Sequence, residues 1–327
     1  MDMIIRKTKK LLPAAAAISL LALLMLYSSA ARTGAYVGLE LCAQSIIPSL
    51  LPFMTASALL NKLGFPAFLS SFAGGIMQRL FGVSGDGAAA FVIGLTGGYP
   101  LGAASVAELY RSGSVSKDEA ERLLAFCNNS GPAFILGAAG AGVFGSAAVG
   151  LYLYSAHILA AALTGIIMRS GPTRTPIRQQ KASLSSPERF PAAFAQSVSS
   201  SAASTISICG FVVFFSALIN VLTCAGVFSS AAGRISSLTG LGLTQVGALL
   251  RGILELGTGI SVLSGLEPGS ANLALCAFIL GWGGLSVHCQ TLSVLSGTGL
   301  SAKKHFAGRI LCAVIAAAIM YVLGFII

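Results

Sequence analysis

The sequence predicts an all-α polytopic membrane protein: an inverted repeat of spanning helices with two re-entrant helical hairpins and two broken helices. Three observations lead there. Hydrophobic residues make up 55% of the 327 positions and charged residues 9%, with a mean hydropathy of +0.86, which excludes a water-soluble core. Glycine-broken hairpins at Gly97-Gly98-Tyr99-Pro100 and Gly257-Thr258-Gly259 are each followed by an interrupted apolar segment, at Asn128-Asn129-Ser130-Gly131-Pro132 and Gly281-Trp282-Gly283-Gly284. Helices that stop halfway survive in hydrocarbon only where protein or a water-filled cavity surrounds the break, so matched breaks in two halves of a chain point to a binding site near the midplane. Finally, nearly all Lys and Arg fall on one side of a layout in which each hairpin returns to the face it entered.

Arg6, Lys7, Lys9 and Lys10 precede the apolar run from Leu11 to Tyr27, and residues 1–34 are assigned to a first spanning helix with its apolar core at 11–31. Ser28-Ser29-Ala30-Ala31 has the form of a signal-peptidase site, so cleavage is the alternative; retention is favoured because the run is long enough to span. Segments 35–61, 123–140, 145–168, 194–225, 270–297 and 305–326 follow as further spans. Segments 86–110 and 244–266 carry glycine or proline at their centres and read as the re-entrant hairpins. Segments 66–81 and 228–240 are too short to span and are expected along the interface, with Arg79 and Arg234 at headgroup depth. The repeats are therefore 35–168 and 192–327. They are joined by a cytoplasmic linker, 169–191, rich in Pro, Ser, Gln and basic residues. Weak echoes accompany them: Ser57-Ala58-Leu59-Leu60-Asn61 against Ser216-Ala217-Leu218-Ile219-Asn220, and Ala125-Phe126 against Ala277-Phe278.

With a cytoplasmic N-terminus, this layout puts every Lys and Arg on the cytoplasmic side except Arg32 and Arg234, outside, and Arg251, in the second hairpin. The net charge of +10 thus orients the chain in a lipid bilayer and does not point to nucleic acid. Cys42, Cys127, Cys209, Cys224, Cys276, Cys289 and Cys312 are scattered through apolar segments without C-x-x-C spacing and read as small hydrophobes. No nucleotide-binding loop, H-E-x-x-H or G-x-S-x-G is present, so no enzyme activity, metal or cofactor is expected.

Asn128 lies roughly 17 Å of helical rise beyond Lys117, near mid-depth. Gly131-Pro132 restarts a helix whose free N–H groups and partial positive charge face the break, and Tyr99-Pro100 does the same at the first tip. A small anionic substrate would be welcome at both. The substrate-binding candidates are Gly97, Gly98, Tyr99, Asn128, Asn129, Ser130 and Gly131 in the first half, and Arg251, Glu255, Thr258, Gly283 and Ser286 in the second. Polar glue for the broken backbone is the other reading of the Asn and Ser side chains. Arg251 and Glu255, at i,i+4, could instead neutralise one another on one helix face. Glu255, Glu108, His288 and Gln290 are candidates for ion or proton coupling, although an interfacial salt bridge to Arg111 would explain Glu108. Asp118, Glu119, Glu121 and Arg122 read as the solvated start of a helix capped by Ser116, and Asp86 as the cap of the first hairpin. His157 and His305 lie towards helix ends and have little claim.

The runs Gly97 to Ala103 (G-G-Y-P-L-G-A), Glu108-Leu109-Tyr110, Ala120 to Pro132 (A-E-R-L-L-A-F-C-N-N-S-G-P) and Gly283 to Gln290 resemble the YlbJ-like sporulation integral membrane proteins, which carry nucleoside-recognition, or Gate, domains. The resemblance covers nearly the whole chain, with its most specific motifs in the first half. It implies a fold similar in outline to concentrative nucleoside transporters and to the membrane part of ferrous-iron permeases. It also implies an endospore-forming bacterium, a forespore membrane, and movement of dipicolinic acid during spore maturation. A flat aromatic dicarboxylate suits helix N-termini, amide donors and an arginine; a nucleoside would suit many of the same groups, and the cysteines would favour ferrous iron. A non-transporting scaffold or receptor in spore assembly is the alternative of another class, although it has no need of facing broken helices. A homo-oligomer is compatible with all of these.

The charge asymmetry generates a test. With native cysteines removed, Arg178→Cys and Ile327→Cys should react with impermeant maleimide from opposite faces of the membrane; labelling from one face would refute the inverted layout.

Overall fold

The computed structural model describes residues 2–169 and 190–326, so nearly all of the expected linker lies outside the described residues, within which every regular element is helical. The chain opens with α1 (Asp2–Leu26) and then a long helical run made of α2 (Ser28–Leu41), a π-helical turn π1 (Cys42–Ile46) and α3 (Ile47–Lys62). A short helix α4 (Phe65–Phe81) leads to the hairpin α5 (Gly87–Gly97) and α6 (Leu101–Arg111). A broken helix, α7 (Lys117–Cys127) and π2 (Ala133–Val143), and a closing helix α8 (Ala147–Ile167) complete the first half. The second half runs through the same series: long α9 (Phe190–Cys224), short α10 (Val227–Thr239), hairpin α11 (Leu243–Leu254) and α12 (Leu256–Ser261), broken α13 (Ser270–Trp282) and α14 (Gly284–Leu295), and closing α15 (Lys303–Leu323). Both short helices are bounded at each end by a left-handed glycine, Gly64 and Gly82 around α4 and Gly226 and Gly240 around α10, a conformation that costs any other residue energy.

Helices long and apolar enough to cross a membrane lie at Ala147–Ile167, Phe190–Cys224, Ser270–Leu295 and Lys303–Leu323, matching four of the expected spans. The first expected span needs correction. Residues 11–31 do not form one helix: α1 stops at Leu26, and the axis turns by 94° before Ser28. The cause is tertiary. Gly34 and Gly38 form a G-x-x-x-G stripe that presses α2 onto α9, such that an added Cβ at Gly34 would lie 2.6 Å from the Ser216 carbonyl oxygen. Asn220 fastens the same contact by donating to Ala30 O at 2.7 Å. Residues 28–34 therefore pack with α9 and not with the first helix. Segment 123–140 is broken at Asn128 to Pro132 as expected, beginning at Lys117 and restarting as π2.

Each hairpin is two helices and not one continuous span. In the second, the break is at Glu255, between α11 and α12, and not at Gly257-Thr258-Gly259, which lies inside α12. Asp86 precedes α5 but makes no capping hydrogen bond, whereas Ser116 caps α7 by accepting from Glu119 N at 3.3 Å. The start of α7 is less solvated than its composition suggests. Glu119 is buried and accepts from Ser84 N, and Arg122 is buried, donating to Gly82 O at 3.1 Å and pairing with Asp118 at 3.3 Å. These contacts hold the 82–84 turn against α7. Asp118 also pairs with Lys304 at 2.6 Å, and Glu121 accepts from Ser301 N at 2.9 Å, so α7 and α15 start side by side.

The largest apolar core joins α8, α13 and α15 through Leu153, Ala160, Leu273, Leu280, Ala316 and Met320. Its small side chains let these helices approach closely, as van der Waals packing requires where lipid supplies no hydrophobic drive. The tightest contact of all holds the first break: the Cys127 carbonyl oxygen sits between Gly94 of α5 and Gly102 of α6, where a Cβ on either would collide with it. Because the obstacle is backbone at both positions, it cannot yield by a rotamer change. Gly94→Ala should therefore lower stability by about 1–3 kcal/mol or more, the usual cost of overpacking. Thermal unfolding in detergent reads this directly, and a wild-type melting temperature would contradict the wedge.

Candidate functional site

Four interruptions of the backbone meet in the interior. At the first tip, Gly98 (φ +80°) lies against the first break, where an added Cβ would be 2.9 Å from Gly131 N. The next residue, Tyr99, is joined to Pro100 by a cis peptide bond, and its ring reaches the second break: a Cβ on Gly283 (φ +86°) would be 3.2 Å from Tyr99 Cζ. On the other side of that break, a Cβ on Gly284 (φ +80°) would be 3.1 Å from Glu255 Cα, at the second tip. Between these parts lies a narrow cavity of about 60 Å³, lined by Thr96, Gly97, Gly98 and Tyr99 of the first tip, Ser130 and Gly131 of the first break, Glu255 of the second tip and Gln290 of α14. Ile46, Leu50 and Phe53 from the first long helix and Ile208 and Val212 from the second supply an apolar wall.

Each polar group here has a local reason for its position. The Glu255 carboxylate accepts from Gly257 N at 3.0 Å and Thr258 N at 2.6 Å, capping α12 with the charge that a helix N-terminus favours. Ser130 N donates to His157 Nε2 at 3.1 Å, so the sharpest turn of the first break rests on α8. Ala133 and Phe134, the first residues of π2, also line the cavity, and their N–H groups belong to the first turn, which has no partners within its helix. Gln290 donates to Ser286 Oγ at 3.3 Å.

Other candidates are near the site but turned away from the cavity. Asn128 is fully buried; its Oδ1 accepts from Ala103 N at 3.3 Å and its Nδ2 donates to Thr291 Oγ1 at 2.9 Å, which makes it the glue between α6, α7 and α14. Asn129 donates to Phe126 O at 2.7 Å and accepts from Arg309 Nη1 at 3.1 Å. Arg251 is not on one helix face with Glu255, because α11 ends at Leu254 and Glu255 is extended (φ −145°, ψ 125°). Its guanidinium instead donates to Gly247 O at 3.2 Å, reaches Thr223 Oγ1 at 3.5 Å and lies 5.0 Å from the centre of the Phe228 ring. Arg251 and Thr258 line a separate lateral pocket with Asn220 and Thr223. Glu108 is exposed at the end of the first hairpin, and Arg111 donates to Val294 O at 3.3 Å, with no ion pair between them among the described residues. His288 packs between Trp282 and Phe306 and shares a 3.1 Å hydrogen bond with His305.

Counting charge by side places Arg309 at the cytoplasmic edge with Lys303 and Lys304, but its side chain is buried in the interior. It is fully buried beside the first break, donating to Tyr99 Oη at 3.2 Å, Asn129 Oδ1 at 3.1 Å and Ala125 O at 3.3 Å. The sequence carries a signal for this: Arg309 lies about 9 Å of helical rise beyond Lys303, on the apolar side of the helix start and four residues after a histidine. His157 and His305, to which position towards a helix end gives little claim, are both buried and bonded to the broken helix, His157 to Ser130 N and His305 to Leu124 O at 3.2 Å.

No family model matches the chain. The sporulation integral membrane protein YlbJ of Bacillus subtilis (strain 168) is 30% identical over 339 aligned residues, covering 97% of this chain and 83% of that protein. The chain belongs to the YlbJ-like sporulation integral membrane proteins. Its fold is like that of the concentrative nucleoside transporter CNTnw: a double variant of that protein in an outward-facing state superposes with a TM-score of 0.56, at 14% identity, over 97% of this chain and 84% of the other. This YlbJ-like chain thus has a fold like that of CNTnw, with the cavity between its two tips, the first break and α14.

Asn129 has become a ligand of Arg309 and not a lining residue. Asn129→Ala should therefore act first on stability, by about 1–3 kcal/mol, because it leaves a buried N–H of the guanidinium unpaired. Thermal unfolding of the purified variant is the check, and an unchanged melting temperature would remove Asn129 from the network.

Proposed function

We propose that this YlbJ-like protein is a membrane transporter of a small organic anion, dipicolinic acid, across a forespore membrane during endospore maturation. The observation that carries the reading is one cavity lined by both hairpin tips, the first break and α14, with the second break packed against the two tips. An apolar wall suits a flat ring, while the first-turn N–H groups of π2 and the amide of Gln290 suit carboxylate oxygens. Residues 35–168 and 192–327 serve as two repeats of opposite orientation, α5–α6 and α11–α12 re-enter from opposite faces, and alternating access arises from movement of tips against breaks. In this reading Gly97, Gly98, Tyr99, Ser130, Gly131, Glu255 and Gln290 contact the solute. Gly283 positions Tyr99, and Ser286 orients Gln290. A scaffold for spore assembly would gain nothing from four interrupted helices held around an interior cavity.

Uptake into proteoliposomes, with radiolabelled dipicolinate, uridine and Fe²⁺ measured side by side, tests the proposal. Saturable dipicolinate uptake is expected. Gln290→Ala should weaken it by an amount equivalent to about 1–3 kcal/mol, the usual effect of losing one buried polar partner. Movement of no solute above empty liposomes would sink the transporter reading, and uptake of uridine or Fe²⁺ alone would replace the cargo.

A further inference from the structure

Arg309 is the largest of the fully buried side chains. Its hydrogen-bond acceptors, Tyr99 Oη, Asn129 Oδ1 and Ala125 O, are all neutral, and its Nε has none. Among the described residues no carboxylate lies within ion-pair distance of it. Removing a guanidinium from water costs several kcal/mol, and neutral dipoles recover only part of this; a buried charge is ordinarily paired or committed to a ligand. The guanidinium is also one residue deep behind the cavity. Tyr99 lines the cavity with its ring and meets Arg309 with its hydroxyl, whose single proton goes to Leu280 O at 3.1 Å, leaving a lone pair for Nη1.

We propose that Arg309 is the anchor for the carboxylate of the transported anion, and that the Tyr99 hydroxyl holds the place of a carboxylate oxygen until the first tip shifts. A planar guanidinium with a free Nε and an Nη1 shared between two neutral oxygens is suited to a two-point bond with a carboxylate, which is stronger than the contacts it would replace. The displaced Tyr99 would move with Gly98, to which the tip geometry already ties it, so solute binding and movement of the first hairpin become one event. The inference deepens the transporter reading of the same cavity and rests on it for the word "transported", but the binding step stands alone.

Thermal stabilisation of the purified full chain in detergent, titrated with pyridine-2,6-dicarboxylate and with uridine as a neutral planar control, measures that step without transport. The dicarboxylate should stabilise wild type. Arg309→Gln should weaken its apparent affinity about tenfold or more while changing uridine little. Tyr99→Phe should tighten dicarboxylate binding, since it removes the competing acceptor and keeps the ring. A folded Arg309→Gln protein with wild-type dicarboxylate affinity would overturn the proposal, as would a wild type that the dicarboxylate does not stabilise. Should Arg309→Gln fail to fold, Tyr99→Phe decides alone, with unchanged or weaker binding counting against. Binding that depends on Arg309 in a protein that moves no dipicolinate would defeat the transporter reading and leave the anchor. Uptake that survives in Arg309→Gln would do the reverse.

Discussion

A helix that ends inside an apolar protein leaves its last turn of carbonyl groups without partners, and this fold is organised around meeting that demand. At the end of α7 three of the last four carbonyls take side-chain donors, and the fourth is wedged between two glycines. Leu124 O bonds His305 and Ala125 O bonds Arg309, both from α15; Phe126 O takes the Asn129 amide; and Cys127 O lies in the cleft between Gly94 and Gly102. The first hairpin, the first broken helix and the last helix of the chain are thereby held by one turn of backbone. The second break meets the same demand more locally. Gly283 N returns to Ile279 O at 2.9 Å in a left-handed cap, and Tyr99 adds its hydroxyl to Leu280 O. The first break thus depends mainly on residues distant in sequence, and the second on its own glycine together with Tyr99.

That difference explains what could be read from the sequence and what could not. Both breaks and the first tip were legible because glycine and proline act where they stand: Gly98, Gly131-Pro132 and Gly283-Gly284 change the backbone at their own positions. The order of elements followed, since apolar length and charge side are also local properties. Side-chain destinations were not local. Asn128 and Asn129 were rightly placed at the break but point into α6, α14 and α15, which no spacing in the motif reveals. The Arg251–Glu255 pairing failed for a definite reason: i,i+4 geometry holds only while the helix continues, and α11 stops one residue before Glu255. The bend after Leu26 was missed because it is set by the G-x-x-x-G contact of α2 with α9, nearly two hundred residues away in sequence.

Arg309 illustrates the limit of reading charge by position. Counting Lys and Arg by side treats every cation near a helix end as an anchor in the headgroups, which suits Lys304, partly exposed and paired with Asp118. Five residues later, less than two turns along α15, Gly308 lets the helix close onto Ala125, and Arg309 is carried inside. Its hydrogen bonds, worth roughly 1.5–3 kcal/mol each to a charged group, are of the same order as the several kcal/mol of desolvation they oppose. The seam of Arg309, Tyr99 and Asn129 is therefore close to neutral as a source of stability. What it does supply is a definite arrangement. One planar group fixes the first tip, the first break and the closing helix in register, and the tip and the break border the cavity. A group so placed is inexpensive to rearrange, because its neutral partners can be exchanged for a better one without breaking an ion pair.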